Sequence, residues 1–468
     1  MSTTHDQAMH HVYQQVLQRL HEHMTQAQRA SVQLLMQRLL VAAGGQEYIG
    51  GLHLMLPLGS DRRNAYLLTC LRAAQLNIAR RHRESFRLTV LVVRQPTLDG
   101  ETLANHQRAF DALCMHTDPR VTLLRVDCGQ AGAFGARPAC SQAQQVEARN
   151  AWLLFGHLAG AEPEALIGAR AYLELATGLG LAVAADTSID ALVSVAPLVQ
   201  RRRLLAWGRR CLRHTLEIAQ AVPVNCARSL VEGLGQVSAV LADPLPEPRP
   251  QAQRQGALAL RVLAVDDLLA HVDDGPSLEA MLGRERVQPC HAQGPAGVFD
   301  PLPLAHLHGL KAQHIDQCGY RQGAQRFLKG LGRRQVDWPQ GQALRREAEA
   351  RLLDAYGVSD AQLTCLLYSP FEASGRNLEH FVACCYPGMR VALPYLHRAL
   401  QGRPCPEPVL RWLIEISGLE LAQLRAIYAG RFRPEARRLF LLLAQRDRWL
   451  RPLLDTPVAA DAALQANR

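Results

Sequence analysis

At 468 residues, 48% hydrophobic and 20% charged, the chain is large enough for two or three domains with real cores and has the composition of an ordinary globular protein. Its net charge is +10, yet of 52 basic residues only Lys311 and Lys329 are lysines, a bias that points to a GC-rich, bacterial-type coding sequence. There is no G-x-x-x-x-G-K-[ST] loop, which excludes Walker-type nucleotide hydrolysis, and both lysines fall outside the α/β segment, which removes Schiff-base and kinase-type lysine chemistry there.

The basicity itself has two readings, a solvated arginine-rich surface or a dedicated anionic partner. The first thirty residues carry His, Gln and Arg throughout, without a signal-type apolar stretch. No apolar run reaches the length of a membrane span; the longest candidate, Ala171–Ala185, contains Glu174. The expectation is a cytoplasmic protein with no membrane span, with export lacking a cleaved signal left open. The 12 cysteines include no C-x-x-C pair and read as reduced, small hydrophobic residues.

In chain order, residues 1–45 form a helical lead, with Met9, Val12, Val16 and Leu20 at helical spacing and Gly44-Gly45 as its stop. The next stretch alternates strands and helices. Leu52–Leu58 reads as a strand, Asn64–Arg81 as a helix, Arg87–Val93 as a strand, Thr102–Met115 as a helix and Val121–Val126 as a strand. Such alternation predicts a parallel sheet whose strand ends face a ligand crevice. Residues 129–141 read as a loop, followed by mainly helical sequence in which the apolar run Leu179–Ala185 is expected as a fourth strand ending at Asp186. Leu258–Val265 is expected as a further strand closing on Asp266-Asp267.

The expected organisation is an α/β domain with a helical extension over 46–243, a proline-rich linker at 244–256, a mixed connecting region at 257–340 and an all-α repeat domain at 341–455. Within that last domain, Gly357-Val-Ser-Asp-Ala-Gln-Leu-Thr-Cys-Leu366 aligns with Gly418-Leu-Glu-Leu-Ala-Gln-Leu-Arg-Ala-Ile427, and Phe371 falls in register with Phe432. Repetition of this kind signals stacked helical units.

Leu54-Met-Leu-Pro57, Leu67-Leu-Thr-Cys-Leu71 with Gln75, Val92-Val93 with Thr97-Leu98-Asp99, Arg120–Arg125 and Ala148-Arg149-Asn150 follow one another over residues 52–150. In this order they resemble the start of a family-2 glycosyltransferase with a GT-A fold. The resemblance implies a Rossmann-like parallel sheet that holds a nucleotide or nucleotide-sugar near Pro57, Asp61, Asp99, Arg149 and Asn150. It also implies a divalent cation, Mn or Mg, held by an aspartate pair, which offsets charge on the leaving diphosphate while a carboxylate base deprotonates an acceptor that the sequence does not name. Asp186 and Asp190 are the candidates for the catalytic and metal roles. The chain departs from the family in two places. It has Arg94-Gln95-Pro96 where acidic residues are expected, and no D-x-D follows Asn150. The implied function is therefore a glycosyltransferase-like protein, either active or with catalysis lost.

The tail offers an alternative from another class. Leu413, Leu419, Leu424 and Ile427 around Gly418, followed by Gly430-Arg-Phe-Arg-Pro434, resemble a repressor-like helix-turn-helix. That resemblance implies a non-enzymatic regulator or adaptor acting on nucleic acid or a protein partner, with Arg425, Arg431, Arg433, Arg437 and Arg438 meeting phosphates or base edges. Smaller signals carry their bland readings beside them. Ser60 or Asp61 caps a helix more simply than Gly59-Ser60-Asp61 binds phosphate. Cys290, His291, His306, His308, His314 and Cys318 match no zinc-finger spacing.

Overall fold

The apolar alternation of the first half becomes one six-stranded sheet of order β4-β3-β2-β1-β5-β6. Its strands are β1 (His53–Pro57), β2 (Arg87–Val93), β3 (Val121–Asp127), β4 (Gln130–Ala133), β5 (Ala191–Ser194) and β6 (Arg261–Ala264). All neighbours are parallel except β4, which turns back against β3 within the stretch expected as loop. The computed structural model describes residues 2–59, 62–82, 84–94, 100–127, 129–135, 141–158, 162–186, 188–196, 198–215, 237, 240, 260–271, 277–283, 301–330 and 341–445. The sequence expected as linker, 244–256, lies outside these residues.

Side chains alternate across the pleat. Leu54, Leu56, Leu88, Val90 and Val92 face helices α1 (Ser2–His23), α2 (Gln26–Ala43), α3 (Arg62–Arg81) and α4 (Gly100–Ala112) in one core. Met55, Leu91, Val93 and Val126 face the opposite side. The helical lead is therefore part of the packing over the sheet.

The cover on that second face corrects an expectation. Residues 179–185 are the last turns of helix α6 (Arg170–Ala185), and the strand begins only at Ala191. The burial of Leu173, Ala176, Leu179, Ala182 and Val183 follows a helical repeat, and Ala- and Leu-rich sequence favours helix once one stripe can be buried. An all-apolar run does not separate buried strand from buried helix by period alone. Asp186 and Asp190 consequently precede β5, at its amino end, rather than follow a strand.

A buried ion network locks the edge of this unit. Arg72 on α3 is fully buried. It donates through Nη1 to Asp118 Oδ2 at 2.7 Å and Gln75 Oε1 at 2.7 Å, through Nε to the Leu113 carbonyl at 3.1 Å and through Nη2 to the Cys114 carbonyl at 3.0 Å. Arg120 adds a second guanidinium on Asp118 at 2.7 Å, and Tyr13 from α1 lies under both cations. Burial opposes the Asp118 charge, but the hydrogen bonds and charges of Arg120 and Arg72 outweigh it and hold the carboxyl at about 2.

The remaining helices build a second core. Helix α5 (Gln142–Leu158) supplies Trp152, Leu153, Leu154 and Phe155 to it, α6 supplies Leu173 and Ala176, and α7 (Leu198–Thr215) supplies Trp207 and Cys211. These meet the tail, which runs from α9 (Pro301–His314) and α10 (Tyr320–Gly330) through α11 (Gln342–Tyr356), α12 (Asp360–Tyr368) and α13 (Leu378–Cys385) to Leu442 and Leu443. A short helix α8 (Ser277–Met281) sits instead with the sheet core. Among the described residues no helix is long and apolar enough to cross a membrane.

The internal repeat has a clear geometry. Helix α11 ends at Gly357 (φ 63°) and α15 (Glu407–Ser417) ends at Gly418 (φ 70°), each in the left-handed region and each closing on the carbonyl four residues back at 2.8 Å. A buried Val358 or Leu419 follows. Then Ser359 or Glu420 caps the next helix, α12 or α16 (Leu421–Ala429), in a capping box completed by Gln362 or Gln423.

Candidate functional site

The strand order places β1 between β2 and β5, so the chain leaves β1 in one direction and later returns on its other side. A parallel sheet opens a crevice at the carboxyl ends of the strands where the order reverses, here between β1 and β5. Pro57 closes β1, and the next residue, Leu58, still bonds to the Leu91 carbonyl at 2.8 Å.

The charges at this edge are paired. Arg94 Nη1 donates to Asp127 Oδ2 at 3.0 Å, and Arg125 Nη2 lies 3.8 Å from the same oxygen. Arg201, at the start of α7, bonds to the Ala196 carbonyl and to Asp266. Arg62, at the start of α3, stands 3.3 Å from Glu279. Arg94 thus occupies the place where the glycosyltransferase resemblance expects an acidic residue, and it neutralises a carboxylate on the neighbouring strand.

The expected site residues do not converge. Asp61 and Asp99 lie outside the described residues. Arg149 and Asn150 sit on α5, where Arg149 Nη2 donates to the Gly418 carbonyl at 3.2 Å, inside the helical core's repeat turn. Asp186 and Asp190 lie at the opposite edge of the sheet from Pro57. Asp190 Oδ2 accepts from the His53 main-chain N–H at 2.9 Å, and Asp186 Oδ1 accepts from the Ser188 hydroxyl at 2.5 Å and its N–H at 2.9 Å.

That amino edge holds a polar cluster in which sequence reasoning named Asp186 and Asp190 but missed His53. His53 is buried, with Nδ1 2.9 Å from Ser188 Oγ and Nε2 2.8 Å from Thr89 Oγ1, and Asp186 Oδ2 stands 3.6 Å from Nδ1. Burial pushes the His53 imidazole below its usual value, with Asp186 opposing. Burial also works against the Asp186 charge, but the Ser188 hydrogen bonds prevail and keep the carboxyl below the usual carboxylate range. The neutral imidazole, two hydroxyls and two carboxylates tie the segment entering β5 to the starts of β1 and β2. A polar residue opening an otherwise apolar strand, His53 before Leu54, was the available signal.

Asp186 and Asp190, the expected metal ligands, are engaged by Ser188 and by the His53 main-chain N–H. Among the described residues no three His, Cys, Asp or Glu side chains are grouped to hold a metal ion. Cys290 and His291 lie outside the described residues. His306 is buried between the Tyr320 hydroxyl and Asp360, at 2.8 Å from each, and His308 stacks on Phe327 with ring centroids 4.7 Å apart.

The helix-turn-helix expectation meets a packed second helix. On α16, Leu424, Ile427 and Tyr428 are buried, Arg425 Nε donates to the Ala399 carbonyl at 3.0 Å, and the exposed positions are Ala422 and Ala429. Arg431, Arg437 and Arg438 are exposed and Arg433 is half-buried. Its polar candidates Gln423 and Arg425 are half-buried, the first engaged in the cap of its own helix and the second on the Ala399 carbonyl. Compared with known proteins, the chain matches no family model, no curated protein and no solved structure.

Proposed function

We propose that the chain is a glycosyltransferase-like binding protein that takes a nucleotide or nucleotide-sugar at the carboxyl edge of its sheet and has lost the transfer reaction. The observation that carries this reading is the reversal of strand order at β1. The loss of transfer is supported by the separation of Asp186, Asp190 and Arg149 from Pro57, and by the pairing of Asp127 and Asp266 with arginines.

Thermal unfolding with uridine and guanosine diphosphates, with and without manganese, tests it. A ligand at about a hundred times its Kd raises native stability by about 2.7 kcal/mol. The expected result is a shift with one nucleotide that persists when manganese is withheld. A shift that requires manganese would restore the transferase reading, and no shift with either nucleotide would reduce the sheet to a scaffold.

The embedded α16 supports a second reading, a non-enzymatic adaptor whose helical repeats dock a protein rather than read nucleic acid. Co-migration of the chain with duplex DNA at physiological salt, abolished by Arg437→Glu, would count against it.

A further inference from the structure

Helix α14 (Leu393–Leu400), which follows the 3-10 turn Pro387–Ala392, buries one side and presents the other. Leu396, Ala399 and Leu400 point inward. The frame is held by Arg425 on the Ala399 carbonyl and by a 2.9 Å bond between His397 Nδ1 and the Tyr428 hydroxyl. Tyr395 and Arg398, three residues apart on α14, share its outward side, and Val391 is exposed in the turn that leads into it. Val391 is 86% exposed and Tyr395 43%. Half-buried Tyr386 meets Trp412 edge-on with ring centroids 5.4 Å apart, and both pack against the helical core.

Along the chain this segment carries charge of one sign. Arg390, Arg398 and Arg403 are exposed, and no Asp or Glu occurs from Tyr386 to Pro406. Arg411, nearby in sequence, is already paired with Glu407 one turn away at 2.9 Å. An apolar stripe rimmed by arginines on a rigid frame matches the anatomy of a docking surface, with an apolar centre and a charged rim that selects the partner.

We propose that the face formed by Val391, Tyr395 and Arg398 docks an acidic segment of another protein, anchored by an apolar side chain over Val391 and Tyr395. The chain's net charge of +10 disfavours a second copy as occupant. An aliphatic residue at the centre, with a single exposed aromatic beside it, favours a protein anchor over stacked bases. This deepens the adaptor reading and rests on it.

The test is selection from a random-peptide phage library on the full-length chain, with counter-selection on Val391→Asp. The expected peptides combine acidic residues with a large apolar one. Their synthetic forms should bind the wild type and lose at least about tenfold in affinity to Val391→Asp and Arg398→Glu, two exposed changes whose unfolding temperatures should match the wild type. Peptides without acidic enrichment, or peptides that bind Val391→Asp equally well, overturn the surface while leaving docking elsewhere on the repeats intact. Saturable binding of oligothymidylate that Arg398→Glu abolishes, with no peptide recovered, overturns it in favour of nucleic acid. Recovery of no ligand of either kind overturns it and the adaptor reading together.

Discussion

Arg149 Nη2 donates to the main-chain carbonyl of Gly418 at 3.2 Å, and the aliphatic stem of the same arginine lies against Gly357. The two glycines are the equivalent turns of the internal repeat. One cation therefore meets the carboxyl ends of two helices, α11 and α15, where unsatisfied carbonyls concentrate partial negative charge. Gln362 adds a cross-link from one repeat to the other through the Glu415 carbonyl at 3.3 Å.

Arg149→Met should thus destabilise the chain by about 2 kcal/mol, read by denaturant unfolding, through loss of a charge-assisted hydrogen bond and of both helix-end interactions. Nucleotide-induced stabilisation should be unchanged. Loss of nucleotide binding without loss of stability would instead return Arg149 to the ligand site.

Gly418→Ala should cost at least about 1–2 kcal/mol, because φ is 70° and an added Cβ would lie 2.7 Å from Leu153 Cδ1 and 3.1 Å from Arg149 Nη2. Combined with Arg149→Met, the two losses should fall short of their sum, since both act on one turn.

Arg120 also holds Asp118, so it is loss of Asp118 that leaves the fully buried Arg72 cation uncompensated. Asp118→Ala should cost about 3–5 kcal/mol in equilibrium unfolding. The pH dependence has a definite sign. The folded carboxyl of Asp118 lies at about 2, below its unfolded value of 3.8, so its stabilisation is complete above the unfolded value and is lost as pH falls towards 2. Asp118→Asn should flatten the acid limb of the stability profile.

His157, on α5, is fully buried, and its ring nitrogens have no hydrogen-bond partner among the described residues; burial lowers it to about 4 from 6.5. Below the unfolded value the unfolded chain takes up a proton that the folded chain refuses, so stability declines from about pH 6.5 to pH 4 and is fully present above. His157→Phe should remove about 3 kcal/mol of that decline. A profile over that range identical to wild type would contradict it.

The alternation of residues 52–127 made the core of the sheet legible, because strands buried on both faces read as continuous apolar runs and amphipathic helices as interrupted ones. The same property hid the fourth parallel strand. Ala191–Ser194 is short, while the preceding Leu179–Ala185 is longer and more apolar, so the helix took the strand's place. That single exchange moved Asp186 and Asp190 from a strand's exit to its approach. The repeat turns were legible because Gly357 and Gly418 must be glycine-like where φ is positive. The placement of Arg149 was not, since a tripeptide on a helix carries no information about which body the helix joins.

Helix α6 gives its first half, through Leu173 and Ala176, to the helical core and its second half, through Leu179, Ala182 and Val183, to the sheet. The segment that builds the helical core, α5 to α7, also precedes the last strand of the sheet. During synthesis, then, neither body can close in the order it emerges. The sheet waits for β6, and the apolar sides of α5 and α6 wait for helices that emerge more than a hundred residues later. Non-local pairing of this kind slows folding and leaves apolar sides exposed meanwhile. Any attempt to express its halves separately leaves one of them with a sticky, half-clothed helix.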